Sequence, residues 1–240
     1  MTEIPSLLEL LKAGVHFGHR TTKWHPKMEP YIYTTKNTVH IIDLEETQIA
    51  LKKALAFVKE VAQKGGVILF LGTKKTLKDI TKKYADKVGM PYVNERWIGG
   101  TLTNFEVISR LIKKLKDLET KKAKGDFSKY TKKEQHKIDL DITRLNKMIE
   151  GIKNMAKLPN AIFMLDTKDE KTAIKEAKKM KFKMAGIVDT NCNPENVNYA
   201  IPANDDAINS VELITSLVAQ AIEEGKKEKD IKVEKEEKKK

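Results

Sequence analysis

The sequence predicts an α/β protein with a doubly wound parallel sheet, into which an antiparallel coiled-coil helical hairpin is inserted. Short apolar runs without polar alternation indicate strands that are covered on both faces. Amphipathic helical stretches separate these runs, as in strand–helix–strand units. The stretch 102–155 carries helical periodicity and no strand pattern, which predicts the inserted hairpin.

Four apolar runs predict the strands of the parallel sheet, at 67–71, 161–165, 185–188 and 199–202. The first run ends at Gly72, the second at Asp166 and the third at Asp189, whereas the fourth is shorter and weaker. Apolar residues recur at helical spacing in the stretches 49–61, 77–88, 173–180 and 208–222. Because parallel strands are joined by right-handed helical crossovers, this alternation favours a doubly wound sheet.

The inserted hairpin is predicted from two apolar stripes at helical spacing, 107–118 and 138–155, with a turn at 125–128 between them. Two helices of about 20 residues joined by a short turn pack as an antiparallel pair. We therefore expect residues 105–155 to project from a discontinuous sheet domain of residues 1–104 and 156–224. A threonine, Thr101 or Thr103, is expected to cap the first helix of the hairpin.

The segment 225–240 consists almost entirely of lysine, glutamate and aspartate, and its only apolar residues are Ile231 and Val233. Such a segment has too little apolar surface to contribute to a core. We expect it to be a charged tail that is either disordered or a frayed helix.

The chain is strongly basic, and its charge is unevenly distributed. Its 240 residues include 46 Lys and Arg against 34 Asp and Glu, which gives a net charge of +12. Residues 105–158 carry fifteen basic and eight acidic side chains, whereas residues 159–224 carry seven and eleven. A lysine-rich coat that confers solubility is one explanation. The asymmetry favours the other, a basic face for a polyanion such as nucleic acid or an anionic membrane surface.

Several classes of protein are excluded by what the sequence lacks. Cys192 is the only cysteine, so neither an intrachain disulfide nor a cysteine-based zinc site is possible. The first residues are acidic where a signal peptide requires basic ones, and no apolar run approaches the ~18 residues of a membrane helix. We therefore expect a cytoplasmic protein that does not cross a membrane.

The turn Gly72-Thr73-Lys74-Lys75 lies between a predicted strand and a helix, where backbone N–H groups and lysines can bind phosphate. It lacks the glycines that wrap a nucleotide polyphosphate, but it suits a single backbone phosphate. A nucleotide- or phosphosugar-binding enzyme that uses this turn together with Asp189 remains the rival hypothesis.

Other reactive side chains have structural explanations that we prefer. The aspartates at the strand ends, Asp166, Asp189 and Asp205, can bind a metal or transfer protons, but helix capping and turn formation explain them more simply. Cys192 has no neighbouring histidine, which favours an inert thiol. The histidines at positions 16, 19 and 25 lack the spacing of a helical metal pair, so we expect phosphate or base contacts and no metal.

Two segments combine basic, aromatic and flexible residues. The segment 13–28 has no periodicity and is predicted to be an irregular loop. In it Arg20, Lys23 and Lys27 can pair with phosphates, and Trp24 can stack on a base or ribose. The segment 94–104 repeats the pairing of arginine with tryptophan and adds a diglycine that permits close backbone approach. Its candidate contacts are Arg96, Trp97, Gly99, Gly100 and Asn104. Each tryptophan has the alternative role of anchoring its loop to the core.

Several of these motifs together resemble one family, that of bacterial small-subunit ribosomal protein two. The resemblance rests on LLELLKAGVHFGH at 7–19, WHPKM at 24–28, FLGTKK at 70–75, RWIGGTLTN at 96–104, PNAIFMLD at 159–166 and IVDTNCNP at 187–194. The motifs occur in the family's order and span about residues 5–224.

The resemblance implies a flavodoxin-like sheet domain bearing a coiled-coil hairpin. It also implies a structural, non-catalytic role in the small ribosomal subunit, bound to 16S ribosomal RNA between head and body. The family's N-terminal region helps dock the large mRNA-binding protein of that subunit, so neighbouring ribosomal proteins are expected partners. Neither a cofactor, a metal nor a small-molecule substrate is expected. A scaffold that binds proteins through its hairpin is a third possibility. The candidate RNA contacts are the residues named in the two loops together with Lys74 and Lys75.

Overall fold

The computed structural model describes residues 3–237 and contains two sheets. The strands are β1 Phe17–Arg20, β2 Ile32–Lys36, β3 Val39–Ile42, β4 Ile68–Leu71, β5 Tyr92–Val93, β6 Ala161–Met164, β7 Lys183–Val188 and β8 Tyr199–Pro202. The α-helices are α1 Leu7–Lys12, α2 Leu44–Gln63, α3 Lys78–Val88, α4 Phe105–Ala123, α5 Lys132–Ile149, α6 Lys171–Lys179 and α7 Ile208–Glu237. Short 3₁₀ helices lie at Thr21–Lys23, Pro26–Tyr31, Glu150–Ile152 and Pro194–Asn196.

The larger sheet has five parallel strands in the order β5-β4-β6-β7-β8. Numbered along the sheet's own chain order, this is the 2-1-3-4-5 arrangement of flavodoxin-like folds. Alternate residues of its central strands point to opposite faces. Phe70 and Phe163 pack in the apolar cluster that contains α2, α3 and α7, whereas Leu69 and Ile162 belong to the cluster that contains α4, α5 and α6. Helices therefore cover both faces, and the predicted doubly wound fold is confirmed.

The stretch between β5 and β6 forms two helices, α4 and α5, that contact each other as an antiparallel pair. Asn146 donates a hydrogen bond to Glu119 at 3.1 Å, and Lys122 pairs with Asp139 at 2.8 Å. Residue numbers thus rise along one helix as they fall along its partner. Coiled-coil packing of this pair and the boundaries of the hairpin as a separate domain stay predictions.

A second, three-stranded antiparallel sheet of order β1-β3-β2 was not predicted. The expectation that 13–28 forms an irregular loop is wrong for its middle, because Phe17 pairs with Ile41 and Arg20 with Val39. The β2–β3 turn places Asn37 and Thr38 at φ 49° and 64°, a conformation that suits a tight hairpin.

The last helix, α7, continues through Gly225 to Glu237, so residues 225–237 take the helical form of the two expected for this segment. Gly225 packs so closely on α2 that a Cβ there would lie 2.7 Å from the Ala62 Cβ. Lys59 of α2 pairs with Glu228 at 2.6 Å. Lysine and glutamate also have high helix propensity, which lets the charged segment extend the helix. The rest of the predicted tail, 238–240, lies outside the described residues.

Within residues 3–237, none of the helices is both long enough and apolar enough to cross a bilayer.

Candidate nucleic-acid interface

The N-terminal candidate segment is fastened to the loop that follows β7. The backbone N–H of His19 donates to Thr190 Oγ1 at 2.8 Å, and that of His25 donates to the Thr190 carbonyl at 2.7 Å. Gly18 makes this approach possible, since a Cβ there would lie 2.6 Å from Thr190 Cγ2. Strand β1 and the turn after it are therefore held at the carboxyl end of the parallel sheet.

The candidate side chains of this segment point to solvent. Arg20 and Lys23 are exposed, and Trp24 is 37% exposed with its ring 5.3 Å from that of His40. Lys27 is also exposed, but its ammonium pairs with Glu195. The segment thus presents two basic side chains and one aromatic face to solvent. Its third basic side chain, that of Lys27, is neutralised by Glu195.

The second candidate loop, 96–104, is built around one buried carboxylate, that of Glu176 on α6. Trp97 Nε1 donates to Glu176 Oε1 at 3.1 Å, and the Gly100 N–H donates to the same oxygen at 2.8 Å. The other oxygen accepts from the Leu102 N–H at 3.0 Å, the Thr103 N–H at 3.3 Å and the Thr103 hydroxyl at 3.2 Å. Five donors therefore converge on a single side chain.

Burial raises the pKa of the Glu176 carboxyl, whereas the hydrogen bonds from Gly100, Trp97, Leu102 and Thr103 lower it. Together these hydrogen bonds outweigh burial, so the pKa of Glu176 lies below its ordinary value. Sequence patterns do not single out this residue, because it is one acid on the lysine-rich helix α6 and lies more than 70 positions from its donors.

The two sides of the 96–104 loop differ. Trp97 is only 8% exposed and packs in the apolar cluster below the loop, so its position fits the anchoring alternative. Arg96, Gly99 and Asn104 are exposed, and a Cβ at Gly99 would meet no atom within 4 Å. Gly100 adopts φ +92°, a backbone conformation that glycine tolerates best.

The expected capping of the hairpin by Thr101 or Thr103 is wrong. The residue before α4 is Asn104, whose side chain makes no capping hydrogen bond. The Thr101 hydroxyl donates instead to the Ile98 carbonyl, and that of Thr103 to Glu176.

The glycine-lysine turn after β4 is largely occupied by internal partners. The Thr73 N–H donates to Glu170 at 3.1 Å, and Lys74 pairs with Asp205 at 3.0 Å and with Asp206. Partial burial lowers the pKa of Lys74, but the two aspartates raise it above its ordinary value of 10.5. Lys75 is exposed and has no hydrogen bond or ion pair within residues 3–237.

Beside this turn, at the carboxyl ends of β7 and β8, lies a polar centre in which Asp189 and Asp205 are buried and Asp206 is exposed. His19 Nδ1 is 3.1 Å from Asp189, and its Nε2 is 3.3 Å from Asp206. The hydrogen bond to Asp189 raises the pKa of His19, and burial together with the charge of Asp189 raises that of Asp205 to about 7. Ligand atoms of His19, Asp205 and Asp206 lie within 4.8 Å of one another, so these three side chains have the spacing to hold a cation.

The other singled-out residues have structural partners. Asp166 accepts from the Lys168 N–H at 2.6 Å, and Asp189 accepts from the N–H of Thr190, as expected of turn-forming aspartates. Burial raises the pKa of the Cys192 thiol to about 12, which suits an inert thiol. The His25 ring accepts from the Lys27 N–H at 3.2 Å.

Topology brings the candidate segments to one edge. The strands β4, β5 and β7 belong to one parallel sheet, so their carboxyl ends lie along the same side. The turn with Lys74 and Lys75 follows β4, the 96–104 loop follows β5, and the 13–28 segment is fastened behind β7. In doubly wound sheets this is the side on which ligands bind.

The family model described as ribosomal protein S2 matches residues 10–225, which is most of the chain.

Proposed function

The chain belongs to the ribosomal protein S2 family, whose members are structural proteins of the small ribosomal subunit, and we propose that it binds 16S ribosomal RNA between the head and body of that subunit. Membership of the family implies a place on the ribosome among ribosomal RNA and other ribosomal proteins. We further propose that it acts in the cytoplasm without catalysis and without a cofactor.

One observation carries the RNA assignment: exposed cationic and aromatic side chains from separate parts of the chain share the carboxyl edge of the sheet. Arg20, Lys23 and Trp24 come from the N-terminal segment, Lys75 from the turn after β4, and Arg96 from the loop after β5. Lysines and arginines neutralise phosphates and release counterions, which provides affinity. An exposed tryptophan offers a stacking surface for an unpaired base.

The remaining candidate residues are given supporting roles. Gly99 and Gly100 allow the RNA backbone to approach, with Asn104 as a polar contact beside them. Trp97 holds the loop in place from below. Lys27 and Lys74 neutralise neighbouring acids and reach phosphate only by exchanging those partners. The discontinuous sheet domain with its 105–155 insert presents this edge, and shape recognition of folded RNA provides the specificity.

The N-terminal region is also proposed to help dock the large mRNA-binding protein of the subunit. Helix α1 leaves Leu8 70% and Leu11 52% exposed, and Phe17 beside it is 50% exposed. Exposed apolar side chains of this kind are typical of protein contacts.

The enzyme hypothesis finds less support. Its phosphate turn needs free donors, but the Thr73 N–H and the Lys74 ammonium both have internal partners. Saturable binding of a nucleotide or sugar phosphate that depends on Lys74 would favour it over the RNA hypothesis.

The four arginines of the chain provide a matched test. Arg20→Ala with Arg96→Ala removes two charges at the proposed edge, whereas Arg110→Ala with Arg144→Ala removes two exposed charges from the hairpin helices. Each double variant is titrated, at several salt concentrations, onto small subunits that lack this protein. The edge variant should bind more weakly, with a salt slope lower by about 1.4 to 1.8. Equal behaviour of the two double variants, or wild-type affinity of the edge variant, would refute the assignment.

A further inference from the structure

We propose that Glu176 is a positioning residue for RNA binding: its carboxylate holds the 96–104 loop in the shape that presents Arg96, Gly99 and Asn104 to RNA. The inference rests on the proposed function and adds to it a residue that does not itself face the RNA. Glu176 lies on α6, is 9% exposed and has the loop wrapped around it.

The loop forms an anion-binding concavity that the protein itself fills. The N–H groups of Gly100, Leu102 and Thr103 all turn inward to the carboxylate, joined by the indole N–H of Trp97. Successive backbone N–H groups that converge in this way bind anions. These donors are therefore not offered to phosphate, and the opposite side of the loop, with Arg96 and Gly99 exposed, is left to face a ligand.

An amide in place of the carboxylate cannot satisfy this arrangement. Both oxygens are used, one by two donors and the other by three. Glutamine has a single acceptor oxygen, and its NH₂ group would face N–H donors on the other side. The side chain of Glu176→Gln consequently leaves at least two N–H donors, those of Gly100 and the Trp97 indole, without an acceptor. The loop must turn these donors away, which changes the direction in which Arg96 points.

The sign of the expected effect separates this role from bulk electrostatics. Removing a negative charge from a protein that binds a polyanion should strengthen binding if charge alone matters. The positioning role requires weaker binding, because the altered loop of Glu176→Gln no longer presents Arg96 and the glycine backbone together.

The test measures the affinity of Glu176→Gln for small subunits that lack this protein, with Glu212→Gln as a control of equal charge change. Glu212 pairs with Lys83 and Tyr84 on α3 and makes no hydrogen bond to the loop. We expect at least a tenfold loss of affinity for Glu176→Gln and wild-type or slightly tighter binding for the control. Binding of Glu176→Gln as tight as that of the wild type would overturn the inference, while a wild-type chain that fails to bind would overturn the proposed function instead.

A double-mutant cycle with Arg96→Ala separates positioning from general destabilisation. If Glu176 acts by presenting Arg96, its replacement should cost clearly less affinity in the Arg96→Ala background. An equal loss in both backgrounds would overturn the inference. Should Glu176→Gln fail to fold, Thr103→Val removes one hydroxyl donor while leaving the carboxylate, and a two- to fivefold loss with the same coupling to Arg96 is expected. Absence of that coupling would again overturn it.

Discussion

Trp97→Phe should lower the free energy of unfolding by about 2.5 kcal/mol, because the indole anchors the 96–104 loop in two ways. Its N–H donates to the Glu176 carboxylate at 3.1 Å, and hydrogen bonds to charged groups contribute about 1.5–3 kcal/mol. Four other donors still satisfy the carboxylate in the variant, so the loss of this hydrogen bond should cost the lower end of that range, about 1.5 kcal/mol. The smaller ring also leaves a gap in a cluster that contains Met28 and Leu69, which adds about 1 kcal/mol.

Urea unfolding followed by circular dichroism measures this change, and Trp24→Phe provides the control. Trp24 is 37% exposed and its ring neighbour is His40, so its replacement should change stability by less than about 0.5 kcal/mol. A loss below about 0.5 kcal/mol for Trp97→Phe, or a larger loss for the Trp24 variant, would show that Trp97 does not anchor the loop.

Two further predictions concern the lysines of the turn after β4 and the histidine His19. Lys75→Ala should leave stability unchanged and lower the salt slope of RNA binding by about 0.7 to 0.9. Lys74→Ala should instead destabilise the fold, because it leaves the buried Asp205 without its cation. Equal effects of the two variants on stability and on the salt slope would contradict these different roles. The pKa of His19 is raised by Asp189, so its contribution to stability is complete below the ordinary pKa of 6.5 and is lost as pH rises through the raised value. The stability difference between wild type and His19→Gln, followed by urea unfolding, should therefore shrink as pH rises beyond that value, and a pH-independent difference would rule out the histidine's charge as the cause.

Four of the five strands of the parallel sheet were predicted from local sequence, whereas β5, which is two residues long, was not. β4 and β6 are buried on both faces, so they appear in the sequence as uninterrupted apolar runs. The antiparallel sheet carries no such pattern. β2 is partly buried only at Ile32 and is otherwise exposed, and its pairing with β3 shifts register between Ile32 and Thr34, which obscures alternation.

The candidate loops could be found from composition, but the groups that hold them could not. The combination of arginine, tryptophan and glycine that marks these loops can be recognised within a stretch of about seven or eight residues. The partner of Trp97 lies 79 positions away on α6, and that of the His19 N–H lies 171 positions away. Contacts at such separations depend on how the sheet is wound, which local patterns do not specify.

The charge asymmetry acquires a structural meaning from these distant contacts. Residues 159–224 are the acidic part of the globular chain, and three of their acids contact the candidate segments. Glu176 holds the 96–104 loop, Asp205 pairs with Lys74, and Glu195 pairs with Lys27. Asp205 and Glu195 thereby neutralise Lys74 and Lys27, while Arg20 and Arg96 are left exposed. Because these acids pair with some cations and not with others, the acidic part of the chain determines which cations of the basic face remain available to a polyanion.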